Sequence, residues 1–329
     1  NIKIFVDPDN PDVAIAKTDP NGNEVVTNNP PATKSVFDVK GQIRTEDALN
    51  VNNVTVEWKT TDQSEEMVTN ESGTFEIKVN EGSRVKITPV KKGGLGNGLS
   101  TLDLILIQRH LLRKQLITSP YKLIAADANN VRKLTPADVL FLRRVILNKM
   151  DGLAEASSWK FIDAKYSFIN QKAAYSEDYP TELDIEHISK DLTSEFIAVK
   201  LGDVNHSANV SRSSSRTSHP YMALEVKNQT VTRGEIVEVP ILMTESIKMA
   251  GVQFALQADT RSVEVLEVRS GNVTLDQDQW TLEDGLIRLS WSDIESHEMA
   301  PGDQLITVKL RATRDVALQD ALSLNQEVI

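Results

Sequence analysis

The sequence predicts a mainly β, multidomain chain in which two β-sandwich regions flank a pair of helices. Three observations point there. Short runs rich in Val, Ile, Thr and aromatic residues alternate with polar positions over 35–92 and again over 221–329. Between these stretches, apolar residues fall at helical spacing in two segments, "STLDLILIQRHLL" (100–112) and "TPADVLFLRRVIL" (135–147), which align at an offset of 35. At 329 residues, the chain is longer than one ordinary domain.

Composition narrows the function classes. With 40% hydrophobic and 25% charged residues, the chain is neither disordered nor membrane-embedded, and no window approaches eighteen apolar residues. A formal net charge of −11 argues against a nucleic-acid partner, because neutralising phosphates needs clustered Lys and Arg. The cysteine count is 0, which excludes disulfides, thiolate metal sites and cysteine nucleophiles together. The abrupt start at Asn1 in strand-like "NIKIFV" reads as a piece of something longer.

Along the chain, residues 1–34 hold one apolar run followed by "DPDNPD", "DPNGN" and "NNPPATK", turn and extended-chain signals that mark the end of a preceding module and a linker. Residues 35–92 carry "SVFDVKGQI", "NVTVEWKT", "GTFEIKVN" and "SRVKITPV". Gly73 opens a turn, after which Phe75 and Ile77 face one way while Glu76 and Lys78 face the other. The pattern resembles the carboxypeptidase regulatory-like (transthyretin-like) domain, which implies a small antiparallel sandwich.

The repeated segments over 93–207 each open with Ser or Thr followed three residues later by Asp, a capping box, and Pro136 takes a first helical position. Asp103 matches Asp138, Arg109 matches Arg144 and Leu112 matches Leu147. The duplicated loop-helix unit resembles a dockerin, and in particular the degenerate dockerin-like repeats of large secreted Bacteroidota proteins. There such repeats follow a carboxypeptidase regulatory-like module, as they do here. "SWKFIDAKYSF" and "FIAVKLGDVNHS" are similar to the segment that closes those units. The expectation is a helix pair with an irregular extension.

The polar run "ANVSRSSSRTSHP" (208–220) reads as a linker. Over 221–329, "GEIVEVPILM", "AGVQFALQAD" and "PGDQLITVKLRA" resemble the strands of a cohesin-like jelly-roll sandwich. The final "SLNQEVI" stops in mid-strand. In these families a type IX secretion sorting domain often follows such modules.

A calcium loop needs oxygen ligands at positions 1, 3 and 5, a backbone carbonyl at 7 and a carboxylate at 12. Counting from Asp127 places Asn129 third, the Lys133 carbonyl seventh and Asp138 twelfth. Val131 cannot donate at the fifth position, and Arg132 stands where Gly usually makes the turn. The first copy keeps no acid except Asp103, whereas Asp203 and Asn205 of "GDVN" repeat the Asp-x-Asn opening downstream. These residues therefore form either structural Ca2+ sites or, equally, N-terminal helix caps and Asx turns.

Other chemistry lacks a signature. The five histidines are scattered, and there is no nucleophile elbow, phosphate loop or dinucleotide fingerprint. The pairs Asp276/Asp278 and Asp293/Glu295 read as solvated edges rather than glycosidase acids. Trp58 and Trp291 share a phase with apolar neighbours and read as core, while Trp280 in "LDQDQWTLEDG" is the best candidate for an exposed ring.

The resemblance implies a non-enzymatic structural or adhesive segment of a large secreted or cell-surface protein, located outside the cell. Its implied partners are proteins: self, neighbouring modules or a surface receptor, with a homo-oligomer or fibre among the forms. The dockerin-like and cohesin-like modules would make contacts within or between chains. The alternative is a carbohydrate-binding accessory region of a secreted polysaccharide-degrading enzyme, with glycan as partner. Neither reading involves nucleic acid or membrane insertion.

Overall fold

The computed structural model describes residues 15–18, 24–27, 35–149, 157–210 and 222–325. Most of 1–34 and of the expected linker thus lies outside the described residues. Within the first stretch, β1 (Ile15–Thr18) and β2 (Glu24–Thr27) pair as a hairpin.

Five strands follow: β3 (Val36–Arg44), β4 (Thr55–Lys59), β5 (Ser64–Val68), β6 (Thr74–Asn80) and β7 (Val85–Val90). Their alternation buries Val39 and Ile43 on β3, Val56 and Trp58 on β4, and Phe75 and Ile77 on β6. Gly41 lies opposite Phe75, whose ring occupies the space a Cβ would need, with ring carbons 2.0–2.7 Å from that position.

Three helices come next, α1 (Thr101–Leu111), α2 (Pro120–Ala126) and α3 (Pro136–Ile146). The chain then returns to β structure with β8 (Trp159–Asp163), β9 (Leu183–Ile185) and β10 (Leu192–Lys200). These strands complete the first sandwich, whose two sheets run β6-β3-β10-β8 and β5-β4-β7-β9. β10 lies parallel to β3, a pairing that requires a long crossover, and the three helices are part of that crossover.

This corrects the expected boundary at residue 92 and the irregular extension to 207. The extension is the missing part of the sandwich, because Trp159, Phe161, Phe196 and Ala198 all enter its core. Ala208 and Val210, expected in the linker, also pack against or into that core.

β8 and β10 serve two cores at once. Trp159 and Phe161 face the sandwich, while Ile162 of β8 and Val199 of β10 enter the cluster formed by Leu104 and Ile107 of α1, Ile124 of α2 and Leu142 of α3. Tyr121, Tyr166 and Tyr179 surround Phe168 edge-on, at ring-centroid distances of 5.4, 5.2 and 6.2 Å, beside the same helices.

The last region is a second sandwich, built from β11 (Leu224–Glu225), β12 (Thr230–Val231), β13 (Ile236–Met243), β14 (Ile247–Ala258), β15 (Val263–Ser270) and β16 (Trp280–Glu283). β17 (Leu286–Met299), β18 (Gln304–Ala312), β19 (Val316–Ala317) and β20 (Leu322–Leu324) complete it. Its sheets run β11-β13-β18-β15 and β16-β17-β14-β20. Their inner faces bury Val239, Ile241, Phe254, Leu289, Trp291 and Val308. The chain is mainly β and multidomain, as its alternation predicts.

Phe196 is 1% exposed and lies in the first sandwich core. Phe196→Ala is expected to cost about 3–5 kcal/mol. Hydrogen exchange checks the shared core: β3 amides should lose protection together with those of β10, whereas a self-contained 35–92 domain would leave β3 unchanged.

Candidate functional site: a helix pair docked on a sandwich

α1 is amphipathic on two sides. Leu104 and Ile107 point into the helix core, whereas Thr101, Ile105 and Arg109, spaced four apart, form a second stripe. That stripe meets the outer face of β14 and β17. The Thr101 backbone N–H and hydroxyl lie 3.0 and 3.1 Å from the Gln253 carbonyl Oε1, and the hydroxyl is 2.8 Å from Ser290 Oγ. The Arg109 guanidinium donates to the Ile294 carbonyl at 3.2 and 3.3 Å. Gly251 permits the close approach: a Cβ there would stand 2.8 Å from Ile105 Cδ1 and 2.9 Å from Thr101 Cγ2.

α3 grips the same sheet from its other end. Arg143, almost fully buried, donates from Nη1 to Asp278 at 2.8 Å and from Nη2 to Ser292 Oγ at 2.9 Å. Beyond the helix, Lys149 donates to the Trp280 carbonyl at 2.7 Å, and the Thr281 hydroxyl donates to the Leu147 carbonyl at 3.4 Å. At the end of α1, Lys114 pairs with Glu295. Lys114 and Lys149 hold equivalent places in the repeat, so the duplicated sequence gives a duplicated grip. Four cations on the helix side thus face Asp278, Glu295 and the main-chain carbonyls of Ile294, Trp280 and Gln277 on the sandwich.

In the sequence Asp276/Asp278 and Asp293/Glu295 read only as carboxylate pairs, and Arg109 aligns with Arg144. Arg144 is exposed, and its neighbour Arg143 makes the contact. The spacing shared by Lys114 and Lys149 was the available signal. Trp58, Trp159 and Trp291 are 7, 4 and 3% exposed, and Trp280 packs half-buried against the second core, so no tryptophan is presented as a flat platform.

The residues expected as metal ligands form two loops with one hydrogen-bond scheme. In the loop after α2, Asp127 accepts the N–H groups of Val131 and Arg132 at 3.1 and 3.0 Å, and Asn129 Oδ1 accepts from Val131 at 3.2 Å. Asp138 caps Thr135 at 2.8 Å and accepts the Asn129 N–H at 3.3 Å. Lys133 lies exposed between them.

At the other loop, Asp203 accepts the N–H groups of Ser207 and Ala208 at 3.0 and 2.8 Å, and Asn205 Oδ1 accepts from Ser207 at 2.9 Å. The capping acid there is Asp103, 100 residues away in sequence. It takes the Ser100 N–H and hydroxyl on one oxygen and the Val204 and Asn205 N–H groups on the other. The first copy, which lacks its own Asp-x-Asn, is completed by the 203–208 segment. Asp103, Asp127 and Asp138 are 0% exposed and Asp203 is 4% exposed.

Among the described residues, no three His, Cys, Asp or Glu side chains gather as a metal centre. Val131 is 56% exposed at the position where a fifth ligand would stand, and Arg132 adopts φ +60° where glycine is favoured. At this loop the fifth side-chain position of a calcium loop therefore supplies no oxygen.

The second sandwich can now be placed among known proteins. Residues 222–328 match the Cohesin domain family. The cohesin-like module is thus the surface on which the helix pair sits. Among solved structures, a non-cellulosomal cohesin from the archaeon Archaeoglobus fulgidus is 24% identical over 25% of this chain, at a TM-score of 0.22, and the match spans 58% of its own length. A cohesin from Clostridium thermocellum, in the OlpA cohesin–dockerin complex, is 16% identical over 30% of this chain and 75% of its own, at 0.25. The major pilin subunit BcpA of Bacillus cereus is 5% identical over 88% and 67%, at 0.26. No curated protein matches the chain.

Burial, aided by the Asp203 carboxylate, pushes the Asp103 carboxyl up to about 7 from its ordinary 3.8. The folded state therefore binds this proton more tightly than the unfolded chain. Its contribution to stability is greatest at pH values below 3.8 and is lost as pH rises from 3.8 through about 7. Asp103→Asn is expected to flatten the fall of stability over that window, whatever its effect on the absolute midpoint. Thermal melts of both proteins across the window check this; parallel curves would contradict it.

Proposed function

We propose that the chain is a structural segment of a secreted or cell-surface protein, in which a dockerin-like helix pair occupies the face of its own cohesin-like module. The observation that carries this reading is Arg143, buried between Asp278 and Ser292 across 135 and 149 residues of sequence. The cohesin-like module supports a protein-binding, non-catalytic role, and the cohesin of the Clostridium thermocellum complex was solved with a dockerin.

Docking within one chain is favoured by tethering. Residues 211–221 join Val210, in the first core, to Met222, against the second. A tether of that size gives an effective concentration on the order of millimolar, so association between separate chains competes only near that concentration. The result is a stiff unit of three packed layers suited to a stalk, filament or adhesin, whose further partners are neighbouring modules or copies of itself.

Thr101→Arg combined with Arg143→Ala places bulk and charge on the docked stripe and removes the central donor. Neither residue belongs to the helix core. The Arg143 contacts are worth on the order of 1–2 kcal/mol, since Asp278 is half exposed. The full-length variant is expected to keep its secondary structure, gain radius of gyration in small-angle scattering and lose exchange protection on β14 and β17. A variant as compact and protected as the wild type would count against docking as the role of this face.

A further inference from the structure

We propose that Asp293 and His297 are a positioning pair for docking: they brace an irregular segment of β17 so that its main-chain carbonyl receives the basic last turn of α1. This role rests on the docking described above. It assigns the part of the cohesin-like face that selects its partner, a helix whose C-terminal end carries Arg and Lys.

The ladder between β14 and β17 is broken at one place. Gly251 lies opposite Ser292 and Met249 opposite His297, so Ala250 alone stands across from Asp293, Ile294, Glu295 and Ser296. A bulge leaves main-chain groups outside the ladder and re-aims the residues it carries. This one turns toward α1. The Arg109 guanidinium donates to the Ile294 carbonyl from Nε at 3.3 Å and from Nη2 at 3.2 Å, and Lys114 pairs with Glu295. Both cations lie at the C-terminal end of α1, where the last helical carbonyls favour positive charge.

Four residues opposed by one have no ladder to hold their shape, and side chains supply the restraint. Asp293 Oδ1 accepts the N–H groups of Ile294 and Glu295 at 2.6 and 3.3 Å. Its Oδ2 accepts from His297 Nε2 at 2.7 Å, a bond that ties the first residue of the segment to the one that follows its last. The His297 ring stands edge-on to Trp291, with 5.2 Å between ring centroids and 76° between planes. Trp291 is buried in the second core and donates from Nε1 to the Thr274 carbonyl at 3.0 Å. The brace is therefore rooted in the sandwich and ends at the docked carbonyl. The bond from His297 also holds the Asp293 carboxyl below its ordinary range, which keeps the accepting group ionised.

The other end of the sheet repeats the design with different residues. A single 3₁₀ turn (Gln277–Gln279) is closed by Asp276, whose N–H donates to Gln279 Oε1 at 3.0 Å. It presents the Gln277 and Trp280 carbonyls to Lys149 at 3.4 and 2.7 Å, and Asp278 to Arg143. Each cation pair of the duplicated helices thus meets one carboxylate and main-chain carbonyls on a self-braced segment. A carbonyl survives any side-chain substitution, so the selectivity of this face is carried by what holds the carbonyls in place. Glu295 faces the helix, whereas Asp293 shapes the segment that carries it.

The Thr101 amide reads docking directly. As the first helical residue it has no intrahelical acceptor, and its N–H donates across the interface to Gln253 Oε1. It lies about 12 Å along the helix from Arg109, so its exchange reports the seating of α1 rather than a local change. Hydrogen exchange is followed by NMR on the full chain, with the β18 amides of the opposite sheet as the control for folding. His297→Leu and Asp293→Ala are expected to speed Thr101 exchange about threefold to tenfold, as befits one charged hydrogen bond at a half-exposed site. His297→Gln, whose Nε2 has the same reach, is expected to restore most of the protection, and Glu295→Gln to change it less than either brace variant.

Brace variants with Thr101 as protected as in the wild type would overturn the proposal and leave docking standing. So would His297→Gln exchanging as fast as His297→Leu, which would make packing on Trp291 the cause. A Thr101 amide unprotected in the wild type would remove the docking itself, and the role of the brace with it. Should His297→Leu lose β18 protection as well, Asp293→Ala decides.

Discussion

The packing of β8 and β10 is the constraint from which the rest of the assembly follows. A strand turns successive side chains to opposite faces, and here both faces are buried. Trp159, Phe161, Phe196 and Ala198 close the first sandwich, while Ile162 and Val199 give the helices something to pack against. Short helices such as α1 and α3, of 11 residues each, are marginal in water without such a surface. Fixed on that wall, they present a second, mixed polar and apolar stripe outward, and the cohesin-like module covers it. The layers therefore depend on one another in sequence: sandwich, helices, sandwich.

The two interfaces of the helix layer differ in character. Toward the first sandwich the contact is a continuous apolar core. Toward the cohesin-like module it is mostly hydrogen bonds and ion pairs around the buried Ile105, with the two large apolar clusters remaining separate. Polar contacts of this kind resemble those between separable partners more than the interior of one domain. They are also sensitive to ionic strength at their exposed rim, where Lys114 and Glu295 meet, and much less so at Arg143.

Much of this was legible in the sequence because it is local. Alternation located the strands of 36–90 and 236–312, the capping boxes located α1 and α3, and phase alone assigned Trp58 and Trp291 to cores. What escaped was long-range. Nothing near Phe196 announces that it will lie beside Ile43, because parallel pairing leaves no turn between the partners to read. The split loop escaped for the same reason: "GDVN" was recognised as a loop opening, but its capping acid, Asp103, stands 100 residues earlier. The docking contacts were hidden differently. Arg143 and Asp278 are ordinary surface residues in any local pattern, and only the three-dimensional juxtaposition distinguishes them from Arg144 and Asp276.

The central claim is that the helix pair rests on the cohesin-like module of its own chain. Zero-length carbodiimide coupling on dilute full-length protein, read by peptide mass spectrometry of the monomer band, addresses it directly. Lys78–Asp38, an ion pair at 2.8 Å within the first sandwich, provides the internal control. Docking predicts that Lys114 couples to Glu295 in the monomer alongside that control. A monomer in which Lys78–Asp38 couples and Lys114–Glu295 does not, with the second link found only in dimers or nowhere, would contradict the account.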